Sequence, residues 1–487
     1  MNILKGLEPE KVFKYFEEIS QIPRGSGDEK AISDYLVNFA KQRNLEVFQD
    51  EALNVIIKKP ATKGYENIEG VIIQGHMDMV NEKNSGTEHD FSTDPIKLIV
   101  EDDLIRADGT TLGADNGVAV AMGLALLDSD EYQHPKICFV ATTEEETGLC
   151  GAFALNGSIL EGNKYFLNID SDKEGLFIVS CAGGVRQSLE IDATSESISE
   201  DFKAYEIKVR GLNGGHSGIE IQKELANANK LMGRVLYRAF YNYDILISKI
   251  SGGLKDNAIP READVTIMVN PDDVQAIEAL VAEMNETLKN EFKINEQNLS
   301  ISIEKIPCEN CKKEAFTKEV TKKIIATIMI IPNGVQAMAL GIDGLVETSN
   351  NLGVIVTEED KVVFTSATRS SVVSRKQFMQ DQLKQIADLV GAKYSEAGNY
   401  PGWAYEPESK LRDVCMEIYE DMFGKKAEIE AIHAGLECGL FSEKVAGLDI
   451  ISFGPNINAQ HTPEETLSIS STENVWKLLI EVLKNLK

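Results

Sequence analysis

No stretch of this 487-residue chain approaches the roughly 20 consecutive apolar residues of a membrane-spanning helix. The longest apolar runs, Gly117–Leu127 and Ile324–Ile331, fall well short. Residues 1–10 hold no apolar signal core and turn acidic at once, so no secretory signal is expected and a cytoplasmic location is. Basic residues are in deficit: 49 Lys and Arg against 78 Asp and Glu leave a net charge of −29. Nucleic acid and anionic membranes are therefore not expected as partners, because their binders need a basic face. A cysteine framework is missing too. Cys138, Cys150, Cys181, Cys308, Cys311, Cys415 and Cys438 are odd in number and scattered, which fits a reducing compartment. Cys308-Glu-Asn-Cys311 is the sole close pair, and with no further thiolate or imidazole in reach it reads as two ordinary loop thiols.

What is present is a soluble globular composition, 43% hydrophobic and 26% charged, on a chain too long for one ordinary core. Val12, Phe13, Phe16 and Ile19, then Ile32, Leu36 and Phe39, have helical spacing on either side of a break at 23–28. The pattern then becomes strand-like. Gly70–Gln74 is a continuous β-branched run of the kind a buried parallel strand shows, and further strands are expected at 136–142, 165–169 and 449–453. Helices are expected at 113–127, 408–422 and 471–486. Residues 203–306 and 315–391 give two similar orders of strands and helices. The predicted fold class is therefore α/β. A discontinuous catalytic domain, 1–185 and 398–487, holds a mixed, mainly parallel sheet covered by helices. An inserted α/β lid domain of two similar halves, 186–397, interrupts it.

Histidine is scarce: His76, His89, His134, His216, His433 and His461 are all there are. Several stand beside carboxylates where strands end, which is where open α/β sheets place their sites. Gly75-His76-Met77-Asp78 follows the apolar run at 71–74, and Asp78 is placed to bond the second imidazole nitrogen. Taken alone, His76 reads first as a satisfied core histidine. Asp115 precedes a small-residue helix, where an N-cap is the plainer reading. Glu144-Glu145-Glu146 follows an apolar strand, either as a solvated acidic turn or as carboxylates in need of cations. Asp170 and Asp172 follow another strand, and His461 sits in a late loop. As a set they offer mixed nitrogen and oxygen donors without thiolates, which suits zinc, manganese or cobalt. Two such ions about 3.5–4 Å apart can share a carboxylate and activate a water, with one more carboxylate to move its proton.

The set Gly75-His-Met-Asp78, Asp115, Glu145-Glu146 and His461 resembles the two-zinc aminoacylase and carboxypeptidase superfamily of metallopeptidases. Ile22–Gly27, Ala114–Gly117, Asp170-Ser171, Cys181–Gly184 and His433–Gly439 resemble, more narrowly, the aminoacyl-histidine dipeptidases over essentially the whole chain. That resemblance implies two divalent metal ions, zinc first and manganese or cobalt as alternatives. Asp115 would bridge them, with His76 and Asp170 on one, Glu146 and His461 on the other. It implies Glu145 as general base and acid, and Asp78 as the orienting group of His76. His216, in Gly214-Gly-His-Ser-Gly218, would stabilise the oxyanion, from its own subunit or from the partner of a homodimer. Arg369 would grip the substrate's free carboxylate, and Asn257 would add a polar contact. His433 and Glu437 stand between contact with the substrate's amino end and a structural role. The implied activity is hydrolysis of unblocked dipeptides such as β-alanyl-histidine. An N-acyl amino acid amidohydrolase or tripeptidase is the rival within the superfamily, and a catalytically retired metal-binding or ligand-binding protein is the rival outside it.

Overall fold

The computed structural model describes residues 3–307, 313–340, 342 and 344–486, and the Cys308–Cys311 pair lies outside them. The chain forms two compact units. The first comprises 1–181, 403–431 and 436–487, and the second comprises 182–402 and 432–435.

In the first unit an eight-stranded sheet runs in the order Glu46–Gln49, Val55–Lys59, Ile137–Thr142, Gly70–His76, Asn163–Asn168, Asp449–Ser452, Leu176–Cys181, Glu428–Ile432. The centre is parallel, pairing 137–142 with 70–76, 70–76 with 163–168, and 163–168 with 449–452. Its flanks are antiparallel, so the sheet is mixed with its parallel strands in the middle. Val71, Ile72, Ile73, Phe139, Val140, Phe166 and Leu167 are all buried, which explains why these strands read as unbroken apolar runs. Helices cover them. Glu10–Ile19 buries Val12, Phe13, Phe16 and Ile19, while Lys30–Gln42 buries Ile32, Leu36 and Phe39. The small-residue helix Ala114–Leu127 is buried on nearly every side, as its lack of polar residues requires. Ile469–Asn485 closes the unit by packing on Lys410–Phe423.

The second unit is built on one nine-stranded sheet, ordered Ser300–Lys305, Lys203–Arg210, Ala263–Val269, Ile245–Gly252, Val346–Thr357, Lys361–Ser370, Gly183–Asp192, Lys393–Tyr400, with Gly334–Met338 also on Val346–Thr357. Every pairing described in this sheet is antiparallel. Strands from the two expected halves, Ile245–Gly252 and Val346–Thr357, meet in it through a short seam, Ser251 opposite Val356 and Gly252 opposite Ile355. Helices Ala228–Asn242, Val274–Glu291, Lys318–Ile330 and Val373–Val390 share one apolar core with it. Among the described residues no helix is long and apolar enough to cross a membrane.

Candidate metal centre

Parallel pairing sets up the site in the first unit. His76 lies opposite Thr142, Gln74 opposite Asn168, and Asn168 opposite Ser452. Four neighbouring strands therefore end along one edge of the sheet, and the segments after them carry Asp78, Glu144–Glu146, Asp170 and, further on, His461. Gly75 must stay small, since a Cβ there would stand 2.3 Å from Asn116 Oδ1 and 2.5 Å from Ala119 Cβ.

His76 is buried, with Nδ1 3.3 Å from Asp78 Oδ1 and Nε2 3.0 Å from Asp115 Oδ1 and 3.6 Å from Asp170 Oδ1. His461 takes the other oxygen of the same carboxylate: its Nε2 is 3.4 Å from Asp115 Oδ2 and 3.0 Å from Glu146 Oε1. Asp115 thus offers one oxygen to each imidazole. Donor atoms of His76, Asp115 and Glu146 all lie within 4.8 Å of one another. The N-cap reading of Asp115 does not hold: the N-cap position is Gly113, and the two carboxylate oxygens of Asp115 face imidazoles. Asp170 faces His76, whereas Asp172 is exposed.

Asp78 does more than face His76. Its carboxylate accepts Ser26 Oγ at 2.8 Å and the backbone nitrogens of Glu145 and Glu146 at 3.1 and 3.3 Å, holding the acidic turn in place. Three further residues, to which sequence reading gives no role, fix the surrounding loops. Buried Arg24 donates Nη1 to the carbonyls of Met77 and Asp78, and Nη2 to that of Gly113. Glu29 Oε1 accepts Glu144 N–H. Glu465 accepts the backbone N–H groups of Leu112, Gly113 and Asp115. Arg24 falls within a motif that already stood out, but Glu465 gives no signal among so many acids.

Charge is crowded here. Burial alone would raise Asp115, yet the bonds from His461 and His76 hold it well below the usual carboxylate range. Burial pushes Asp170 up to about 6 against the pull of His76, and drives Glu145 well above its ordinary value, helped by Asp170, Glu437 and Glu146. His76 is raised in spite of burial, chiefly by Asp170, and bonds to Asp115 and Glu146 lift His461 to about 10. Among the described residues the ion pairs of Asp115, Glu146 and Asp170 are to imidazoles alone. A nitrogen and oxygen donor set of this excess negative charge, without thiolates, fits divalent cations in an open site. Glu437 lies fully buried, its Oε2 accepting from Gln74 and Thr142 while Oε1 has no partner among the described residues; burial lifts it to about 8.

The remaining predicted residues lie in the second unit. His216 pairs across a short ladder with Ala258, the neighbour of exposed Asn257. Its Nδ1 accepts the N–H groups of Gly218 and Ile219 at 3.1 and 3.2 Å, so the neutral ring carries its hydrogen on Nε2. Burial, then the charge of Arg369, lowers its pKa and keeps it neutral. Arg369 Nη1 donates to the Tyr400 hydroxyl at 3.1 Å, and its Nε is buried without a partner among the described residues. His433 Nε2 lies 2.7 Å from Ser349 Oγ. Of the other histidines, His134 bonds the Pro135 carbonyl and His89 packs edge-on against Phe91.

The pattern of peptidase family M20/M25/M40 matches residues 72–485. The chain belongs to this family. It is 37% identical to the cytosol non-specific dipeptidase of Escherichia coli (strain K12) over 486 residues, covering 100% of this chain and 99% of the relative. The crystal structure of aminoacylhistidine dipeptidase from Vibrio alginolyticus is 38% identical and superposes with a TM-score of 0.94 over 99% of this chain and 97% of that one. The aminopeptidase PepT from Bacillus cereus ATCC 10987, 16% identical, covers 99% of both chains at a TM-score of 0.57 and shares the fold. The resemblance drawn from the motifs is therefore correct at the level of family. An M20 peptidase is a hydrolase.

Proposed function

We propose that this M20 peptidase is a cytoplasmic enzyme that hydrolyses the peptide bond of unblocked dipeptides, Xaa-His dipeptides such as β-alanyl-histidine among them. The observation that carries the reading is Asp115, one carboxylate oxygen facing His76 and the other facing His461. Names of two relatives support it, one a cytosol dipeptidase and the other an aminoacylhistidine dipeptidase, each similar over nearly its full length.

In this reading two divalent ions, zinc by preference, would be held by Asp115 together with His76 and Asp170 for one and Glu146 and His461 for the other. Such ions supply Lewis acidity to a carbonyl and make a water acidic enough to attack near neutral pH. Glu145, on the turn that Asp78 holds, accepts the water's proton and returns it to the departing amine. Asp78 fixes the ring of His76 and the turn that carries Glu145. His216, a neutral Nε2–H donor, serves the oxyanion. Arg369 takes the peptide's terminal carboxylate with its planar fork, Asn257 adds a polar contact, and Glu437, whose Oε1 has no partner among the described residues, takes the free amine.

A substrate panel tests this. Metal-loaded enzyme is expected to cleave β-alanyl-histidine and other free dipeptides in preference to tripeptides and N-acetyl amino acids. Preference for the last two moves the chain to another M20 activity. No hydrolysis of any of them, with metal bound, makes it a retired binding protein.

A further inference from the structure

Arg369 has Ser349 as its cross-strand partner on one side and Gly184 on the other. Gly184 is paired in turn with Tyr400. Ser349, Arg369, Gly184 and Tyr400 therefore form one row across four adjacent strands of the second unit's sheet, and directly opposed residues project to the same face. The glycine leaves a gap in that row. Neighbouring strands are about 4.8 Å apart, so positions on either side of Gly184 are separated by roughly twice that, a distance that a long side chain and an aromatic ring can span together. They do so here, where Arg369 Nη1 donates to the Tyr400 hydroxyl at 3.1 Å.

The ring has a slot made for it. A Cβ on Gly184 would stand 2.5 Å from the Tyr400 phenolic oxygen, and a Cβ on Gly435 would stand 2.9 Å from Cε2 of the ring. Both glycines belong to motifs prominent in the sequence, Cys181-Ala-Gly-Gly184 and His433-Ala-Gly435, and neither motif has a role in the metal centre. At the other end of the row the Ser349 hydroxyl lies 2.7 Å from His433 Nε2.

With one Nη1 hydrogen engaged by the phenol, the edge bearing Nε and Nη2 keeps both of its hydrogens for a carboxylate to bind in two-pronged fashion. Nε is buried and lacks a partner among the described residues. A long arginine side chain has much rotamer freedom to lose, which a fixed contact at one corner removes before ligand arrives. We propose that Tyr400 is a positioning residue: it holds Nη1 so that the Nε–Nη2 edge of Arg369 meets the terminal carboxylate of the peptide, and Gly184 and Gly435 are small because the ring occupies their side-chain space. This rests on the reading of Arg369 as the carboxylate-binding residue.

Steady-state kinetics on a dipeptide and on the same dipeptide with its C-terminus amidated test the proposal, using metal-loaded wild type, Tyr400→Phe, Gly184→Ala and Arg369→Met. Tyr400→Phe keeps the ring and removes only the hydroxyl. It is expected to raise KM for the free dipeptide roughly tenfold, the usual worth of a hydrogen bond to a charged group, with kcat within about twofold. Its kcat/KM for the amide should not change. Gly184→Ala, by pushing the phenol off Arg369, should reproduce the same split. The proposal is overturned if Tyr400→Phe leaves KM for the free dipeptide unchanged while Arg369→Met raises it, which leaves the role of Arg369 intact. It is equally overturned if Tyr400→Phe weakens the amide as much as the acid. If Arg369→Met itself leaves the free dipeptide's KM unchanged, the carboxylate-binding reading falls and this proposal falls with it.

Discussion

Glu465 holds Asp115 by its backbone, Oε1 accepting the Asp115 N–H at 3.2 Å while Oε2 accepts those of Leu112 and Gly113 at 2.9 and 3.0 Å. A carboxylate only four residues beyond His461 thus fixes the loop that presents the carboxylate His461 faces. Replacing Glu465 by Gln removes one acceptor oxygen and leaves a buried amide facing N–H groups. Loss of such outer support commonly costs 10–100-fold in metal affinity. Zinc titration of Glu465→Gln should show a loss of that size, with the fold retained by circular dichroism. Wild-type affinity in the variant would mean that the Asp115 loop holds itself.

Glu145 is tested by a change of charge at constant shape. Glu145→Gln should lower kcat by about 10²–10⁴, the usual contribution of a general base, while bound metal measured by elemental analysis stays at the wild-type level. Substantial residual turnover would assign the proton transfer to another group.

Chelation should abolish hydrolysis and lower Tm together. Cations that bind only the folded chain stabilise it by mass action, about 4 kcal/mol when present at a thousand times Kd. Restoring zinc, manganese or cobalt in separate samples should recover both, and the ion giving the highest kcat/KM at matched occupancy identifies the preferred metal. Unchanged activity in metal-free enzyme would sink the cation-dependent reading.

His433 predicts an acid-side weakness. Burial, with Arg369 nearby, lowers its pKa to about 3, whereas an unfolded histidine titrates near 6.5. Between those values the unfolded chain binds the additional proton, so stability is intact above pH 6.5 and declines as pH falls below it. The loss attributable to this group at pH 5 is about 2 kcal/mol. Urea unfolding at pH 7 and pH 5 should show a smaller pH dependence in His433→Gln by that amount. Equal slopes in variant and wild type would mean that His433 is protonated in the folded state.

Much of the first unit could be read from the chain because its chemistry is local. Continuous β-branched runs such as Gly70–Gln74 can only be satisfied with both faces buried, and the helix at 113–127 is too apolar to be anything but interior. Short or polar pieces were not legible. Glu428–Ile432 is a partly exposed strand with two glutamates, and Ile432–Gly435 cross into the second unit for only four residues, too few to leave a compositional mark.

By itself the sequence determined that His76, Glu144–Glu146 and Asp170 stand at or just after the ends of apolar strands, since strand period and polar punctuation are properties of neighbouring residues. Tertiary structure alone decided that Asp115 faces both imidazoles, that Asp170 and not Asp172 turns toward His76, that Arg24 and Glu465 bond the surrounding loops, and that Tyr400 meets Arg369. The reason is register. Parallel pairing brings the ends of strands far apart in sequence into line, and the buried acceptors that fix their loops are chosen by three-dimensional distance, which spacing along the chain does not encode.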